Sequence, residues 1–231
     1  MKTIGLIGGL SWHSTVEYYR IINEEVHKLL GGRHSARMAI YSVDFSEHLE
    51  IHEQGGWDKV AQEMIDIAEK LKTVGADFLL LGANTAHMVA DKVETAVELP
   101  LLHIADVTAK AIKDKGLRRV GLLGTRHTMR EDFYRRRLQN RHGLEVVIPE
   151  PEDVKVIDVL IFDKLVKGDL KAEYRNVCLE VMQRLVAAGA EGIILGCTEL
   201  PLLIQPEHID ITLFDTLKIH ARAAAEWALR D

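Results

Sequence analysis

Gly75-Ala76-Asp77-Phe78-Leu79-Leu80-Leu81-Gly82-Ala83-Asn84-Thr85 returns 114 positions later as Gly189-Ala190-Glu191-Gly192-Ile193-Ile194-Leu195-Gly196-Cys197-Thr198-Glu199. Each copy is a turn, a short apolar run and a small polar cluster. Such a run, too short for a helix and bounded by glycines, reads as a strand buried on both faces. A second pair of segments, Ile4-Gly5-Leu6-Ile7-Gly8-Gly9 and Val120-Gly121-Leu122-Leu123-Gly124-Thr125, lies 116 positions apart. Chance can give one match; two at nearly the same offset indicate a duplicated unit. The period is too long for a solenoid.

Working outward, apolar runs alternate with amphipathic stretches. Strands are expected at 4–7, 38–43, 78–81, 100–104, 120–123, from 146, at 193–195 and 211–214. Helices are expected at 14–30, 57–74, 129–140, 155–165, 174–188 and 216–229. Strands separated by helices imply parallel sheets with helical crossovers. The expected fold is therefore α/β, with two pseudo-twofold-related Rossmann-like lobes and the active site between them. Residues 1–99 with 208–231 form one expected lobe, and 100–207 the other. In open α/β sheets ligands bind beyond the carboxyl ends of the strands.

Composition narrows the function. A net charge of −6 over 231 residues gives no basic footprint for nucleic acid. No run of 18 apolar residues suggests a membrane span, and the N-terminus lacks the features of a signal peptide. Two cysteines, Cys178 and Cys197, are too few for a disulfide framework, so a reducing cytoplasm is expected. The 11 histidines show no ligand spacing, so no metal is expected. Gly8-Gly9-Leu10-Ser11 lacks the spacing of a nucleotide phosphate loop and reads as a tight turn lining the cleft. Arg135-Arg136-Arg137 reads as a solvated helix face.

The chemistry sits in the repeated clusters after the strands, Ala83-Asn84-Thr85-Ala86-His87 and Cys197-Thr198-Glu199. Polar side chains and backbone N–H groups at a strand-to-helix turn suit a carboxylate. Cys197 is expected to gain thiolate character from the helix dipole; Cys178, inside a helix, reads as packing. Thr125 and Thr128 fit either a ligand carboxylate or helix capping. His52 and His87 are candidate lining residues.

Taken together, IGLIGGLSWHSTVEYYRIIN from residue 4, YSVDF from 41, GANTAH from 82, LLHIADVTAKAI from 101, VGLLGTRHTM from 120 with DFY from 132, GAEGIILGCTELPLLI from 189 and LFDTLKIHARAA from 213 resemble the aspartate/glutamate racemases that work without pyridoxal phosphate. The likeness is greatest to single-cysteine, L-specific or broad-specificity members. It implies a duplicated fold, a homodimer, an amino-acid or dicarboxylate substrate, and no cofactor or metal. It also implies Cys197 as one acid/base, Asn84, Thr85 and Thr198 on the substrate carboxylate, and Leu10, His52 and Thr128 elsewhere in the pocket.

This chain departs from the pattern at Ala83, where the family's first acid/base is usually Cys and in some members Thr. It departs again at His52, where an L-specific relative would carry Gln. Alanine moves no proton. Water or His87 serving that face, an introduced Cys-to-Ala change, or a one-cysteine reaction like that of the related arylmalonate decarboxylases would each account for it. The expected activity is racemisation of aspartate, glutamate or a similar polar amino acid. The alternatives are a one-cysteine decarboxylase or isomerase of dicarboxylic acids, and a catalytically impaired binder.

Overall fold

The computed structural model describes residues 1–230; of Gly55 it describes only its place in a helix. The expected last residue of lobe 1, Asp231, lies outside the described residues. The chain forms two compact units. One comprises Met1–Ile104 and the chain from Leu217 onward; the other is Ala105–Thr216.

In the first unit, β1 (Ile4–Gly8), β2 (Met38–Ser42) and β3 (Phe78–Leu81) form a parallel sheet in the order β2-β1-β3. Successive side chains of a strand point to opposite faces, and here both faces are apolar. Ile4, Leu6, Phe78 and Leu80 pack with α1 (Trp12–Leu30) and α10 (Thr216–Ala228). Ile7, Leu79 and Leu81 pack with α2 (Phe45–Thr73) and α3 (Ala90–Val97). The unbroken apolar runs are thus explained by a sheet covered on both sides.

In the second unit, β4 (Arg119–Gly124), β5 (Glu145–Val147), β6 (Gly192–Gly196) and β7 (Thr212–Asp215) form a parallel sheet in the order β5-β4-β6-β7. Its helices are α4 (Ile104–Asp114, whose first residue belongs to the first unit), α5 (Arg126–Arg130), α6 (Asp132–His142), α7 (Pro151–Asp163), α8 (Ala172–Ala187) and the single turn α9 (Leu200–Leu203). The duplication is visible in the register. Ile7 pairs with Leu81 in one sheet, and their repeat counterparts Leu123 and Leu195 pair in the other.

Four local expectations change. Residues 100–104 form a single bridge, Leu79 to Leu101, rather than a strand, because α4 begins at Ile104. The helix expected from 57 starts at Phe45. Its first part is polar and lacks apolar periodicity, but Asp44 caps it, accepting from Ser46 N (2.9 Å) and Glu47 N (3.1 Å). Its two parts join at Gly56, whose φ of 60° and ψ of −156° kink the helix in a conformation suited to glycine. The helix expected at 129–140 is split at Glu131, which is extended. Because β7 hydrogen-bonds to β6, the chain returns to the first unit at Leu217 rather than at 208.

Arg137 is not on a solvated face. It grips Asp106 with two bonds of 2.8 Å, and His142 adds a third at 2.8 Å. Burial alone would raise the Asp106 carboxyl; the hydrogen bonds from Arg137 and His142 outweigh that and hold it below its ordinary range. No described helix is long and apolar enough to cross a membrane.

The first unit also buries an imidazole. His220 Nε2–H donates to the Leu102 carbonyl (2.8 Å) and Nδ1 accepts from the Tyr18 hydroxyl (2.8 Å). Burial, with His87 nearby, pushes its pKa down to about 3, against about 6.5 in an unfolded chain. Between those values unfolding takes up a proton, so this contribution is complete above pH 6.5 and is lost as pH falls toward 3. In urea titrations, stability is expected to fall by roughly 1.4 kcal/mol per pH unit from this site below about pH 6. His220→Gln is expected to lose about one proton of that dependence between pH 7 and pH 5.

Candidate active site

Apart from His52, the site candidates lie at or just beyond the carboxyl ends of the central strands in each unit. In the second unit, Gly124 and Gly196 are register partners. A Cβ on Gly124 would stand 2.7 Å from the Gly196 carbonyl oxygen, and one on Gly196 would stand 3.1 Å from Thr128 Cγ2. Only bare backbone lets Thr128 lie over both strand ends. Thr125 follows Gly124 and Cys197 follows Gly196, so both emerge from neighbouring strand ends. Thr125 Oγ1 accepts from Thr128 N (3.3 Å) and lies 3.1 Å from Thr128 Oγ1. Thr125 therefore caps α5, the capping role that the sequence left open.

Cys197 is 6% exposed, Thr198 7% and Glu199 3%. The Cys197 thiol donates to Glu199 Oε2 at 3.1 Å, and the Thr198 hydroxyl donates to the same oxygen at 2.9 Å. Burial first, and then the Glu199 carboxylate, push the Cys197 thiol well above its ordinary pKa; the N–H groups of Glu199 and Leu200 oppose this with smaller effect. The expected lowering by a helix dipole is therefore reversed. The helix after the cluster is one turn long, which leaves little dipole, and the nearest charge is negative. The group is held as a thiol whose hydrogen points at a side-chain oxygen of Glu199. Cys178 is buried inside α8, and burial pushes its thiol up to about 12, in keeping with a packing role.

In the first unit, Gly9 N–H donates to Thr15 Oγ1 (2.8 Å), and Thr15 Oγ1 donates in turn to the Ser11 carbonyl (3.2 Å). The sequence reading missed Thr15, although it stands one helical turn beyond Ser11. Leu10 is buried in the core between the sheet and α2. Ser11 has φ 139° and ψ 116°, a costly conformation for a residue with a Cβ. Its Oγ is buried and makes no hydrogen bond among the described residues. On the neighbouring strand end, Ala83 is half-buried, Asn84 is buried and Thr85 opens a 3-10 turn, Thr85–Val89.

His87 does not present a ring nitrogen to a substrate. Ile104 N–H donates to Nε2 (3.2 Å), so the proton is on Nδ1, which donates to the Ala83 carbonyl (2.9 Å). An imidazole engaged at both nitrogens is poorly placed to act as the missing base. His52 lies in α2 before the Gly56 kink, its ring 4.6 Å from that of Trp57.

Two strand-end turns and two polar clusters, repeated in register, correspond to a known family. Residues 7–224 match the sequence model of the Asp/Glu/hydantoin racemases. The chain belongs to that family. It is 25% identical to the broad-specificity amino-acid racemase RacX of Bacillus subtilis (strain 168), over 92% of each chain. Its fold superposes on a candidate Asp/Glu racemase from Yersinia pestis with a TM-score of 0.93, at 46% identity over all of both chains. An aspartate racemase homologue from Pyrococcus horikoshii OT3 superposes with a TM-score of 0.83, at 37% identity, also over all of both chains. The family's fold is thus present from end to end, with alanine at the first unit's equivalent of Cys197.

The glycine turn of the first unit should be the least tolerant element of this racemase-fold site. A Cβ on Gly9, at φ 82°, would stand 2.2 Å from the Val43 carbonyl oxygen, whereas one on Gly116, at φ 75°, meets nothing within 4 Å. In urea unfolding, Gly116→Ala is expected to cost about 1 kcal/mol for its left-handed backbone. Gly9→Ala is expected to cost about 3 kcal/mol or more, because strain is joined by a backbone clash.

Proposed function

We propose that the protein is a cofactor-independent amino-acid racemase acting on aspartate, glutamate or a similar polar amino acid, with Cys197 as the acid/base. The observation that carries this reading is the Cys197–Glu199 pair, a buried thiol hydrogen-bonded to a buried carboxylate at a strand end. The Cα–H of an amino acid is far less acidic than any side chain, so the base must be a thiolate in a site that stabilises the carbanion. Ionising a buried thiol alone creates a charge in a poor medium. Passing its proton to Glu199 moves the charge instead of creating it: Cys–SH and Glu–COO⁻ become Cys–S⁻ and Glu–COOH.

The thiolate then takes the Cα proton, while Asn84, Thr85 and Thr198 hold the substrate carboxylate and stabilise the enolate-like carbanion. Return of the proton from the thiol regenerates the starting enantiomer. Delivery from the opposite face inverts it. Ala83 offers no group for that delivery, so water supplies the proton there, the hydroxide left behind is neutralised by the proton that Glu199 took up, and inversion is slower than exchange.

Proton NMR of the α-hydrogen of L- and D-aspartate and glutamate in deuterated buffer reads both steps. Exchange is expected to outrun inversion in the wild type, and Cys197→Ser is expected to lower exchange at least a hundredfold. Unchanged exchange in that variant would remove Cys197 from the role. Placing a thiol there with Ala83→Cys is expected to raise inversion relative to exchange by roughly tenfold or more.

Ala83 also favours a second reading, a one-cysteine decarboxylase of dicarboxylic acids. Carbon dioxide release from a panel of substituted malonates, with no α-exchange of amino acids, would select it. Binding of amino acids with no turnover of either kind would mark the protein as a binder.

A further inference from the structure

His87 is one of the family-like residues for which the proposed reaction has no use, yet it is buried, polar and next to the site. It stands in the 3-10 turn that follows Ala83-Asn84-Thr85. Nδ1–H donates to the Ala83 carbonyl at 2.9 Å, and Nε2 accepts from Ile104 N–H at 3.2 Å. Its ring packs against His103, with centroids 4.6 Å apart, and against His220, at 5.7 Å. The two backbone partners are distinct in kind. Ala83 is the first residue of the strand-end cluster, and Ile104 is the last residue of this unit before the chain enters the other.

A peptide carbonyl held by a buried donor fixes the plane of the next N–H. For Ala83 that N–H belongs to Asn84. We infer that His87 is a positioning residue: its Nδ1–H bond to the Ala83 carbonyl sets the backbone at Asn84 and Thr85 for the substrate carboxylate, and its Nε2 bond to Ile104 separately secures the segment that leaves the unit. The inference rests on the racemase reading for its consequence in turnover, but not for the geometry. Small misplacements of groups that bind a transition state cost much more in rate than in fold.

The two bonds can be separated by substitution. In His87→Asn the side-chain amide N–H takes the place of Nδ1–H and the Ile104 bond is lost. In His87→Gln the side-chain carbonyl takes the place of Nε2 and the Ala83 bond is lost. Three readouts are taken on the full-length protein: thermal midpoint, amide hydrogen exchange over residues 83–87, and α-proton exchange resolved into kcat and KM.

His87→Asn is expected to keep kcat within about threefold of wild type and to leave the amides at Asn84 and Thr85 protected, while its midpoint drops. His87→Gln is expected to lose tenfold or more in kcat, with faster amide exchange at those residues and a midpoint nearer wild type. A purely structural role would make kcat follow the midpoint in both variants, and that outcome overturns the inference. So does failure of both variants to fold, which would make His87 a folding determinant. A wild type with no α-exchange on any substrate defeats the racemase reading instead. The amide-exchange contrast between the variants then decides the positioning role by itself.

Discussion

The contact on which the site depends is the close approach of parallel strand ends where neither strand carries a side chain. Gly124 and Gly196 meet so closely that a Cβ on Gly124 would stand 2.7 Å from the Gly196 carbonyl oxygen, and one on Gly196 would be tight against Leu122, Leu123 and Thr128. In the first unit, the backbone N–H of Gly82 bonds the Ile7 carbonyl at 2.8 Å, and a Cβ on Gly82 would stand 2.9 Å from that same oxygen. Backbone proximity at these points lets a threonine fold back over the strand ends, Thr15 in one unit and Thr128 in the other. It also places the residues after the glycines at neighbouring strand ends within each unit. Each candidate cluster therefore follows directly on a paired strand end. Sites on rigid elements hold their geometry better than sites on long loops.

The duplication and the parallel sheets were legible because they leave periodic, apolar marks. Runs such as Phe78-Leu79-Leu80-Leu81 must be buried on both faces, and their repetition at one offset requires a second copy. The first part of α2 was not legible, since residues 46–56 are mostly polar and its start rests on one Asp44 cap. The run at 100–104 looked like a strand because Leu101 and Leu102 are apolar, but the chain makes one bridge and then turns into α4. Apolar character alone does not say how long a pairing lasts.

For the site, Cys197 and its neighbours could be located from sequence, but their electrostatics could not. A dipole argument gave the wrong direction for the thiol because it ignored what lies nearest. Glu199 is two residues away in sequence and shares the Cys197 proton in space, and the helix behind it is a single turn. Likewise His87 looked like a spare base among five polar or small residues. Its role emerges only when Ile104, 17 residues on, is seen to donate to it. Long-range backbone partners are invisible to motif spacing.

The discontinuity of the first unit bears on how the chain comes off the ribosome. One face of its sheet is covered by Leu217, Ala221, Ala224, Ala225 and Ala228 of α10, and Trp227 stacks on Phe78 with ring centroids 4.7 Å apart. Those residues are synthesised after the whole of the second unit. The segment Ala105–Thr216 is continuous and can complete its sheet as it emerges, since domains fold as units during synthesis. The earlier-made strands β1 and β3 have only α1 on that apolar face until α10 arrives to complete the cover. The first unit thus reaches its final packing only after the second has been synthesised, and part of its apolar surface stays open for that interval.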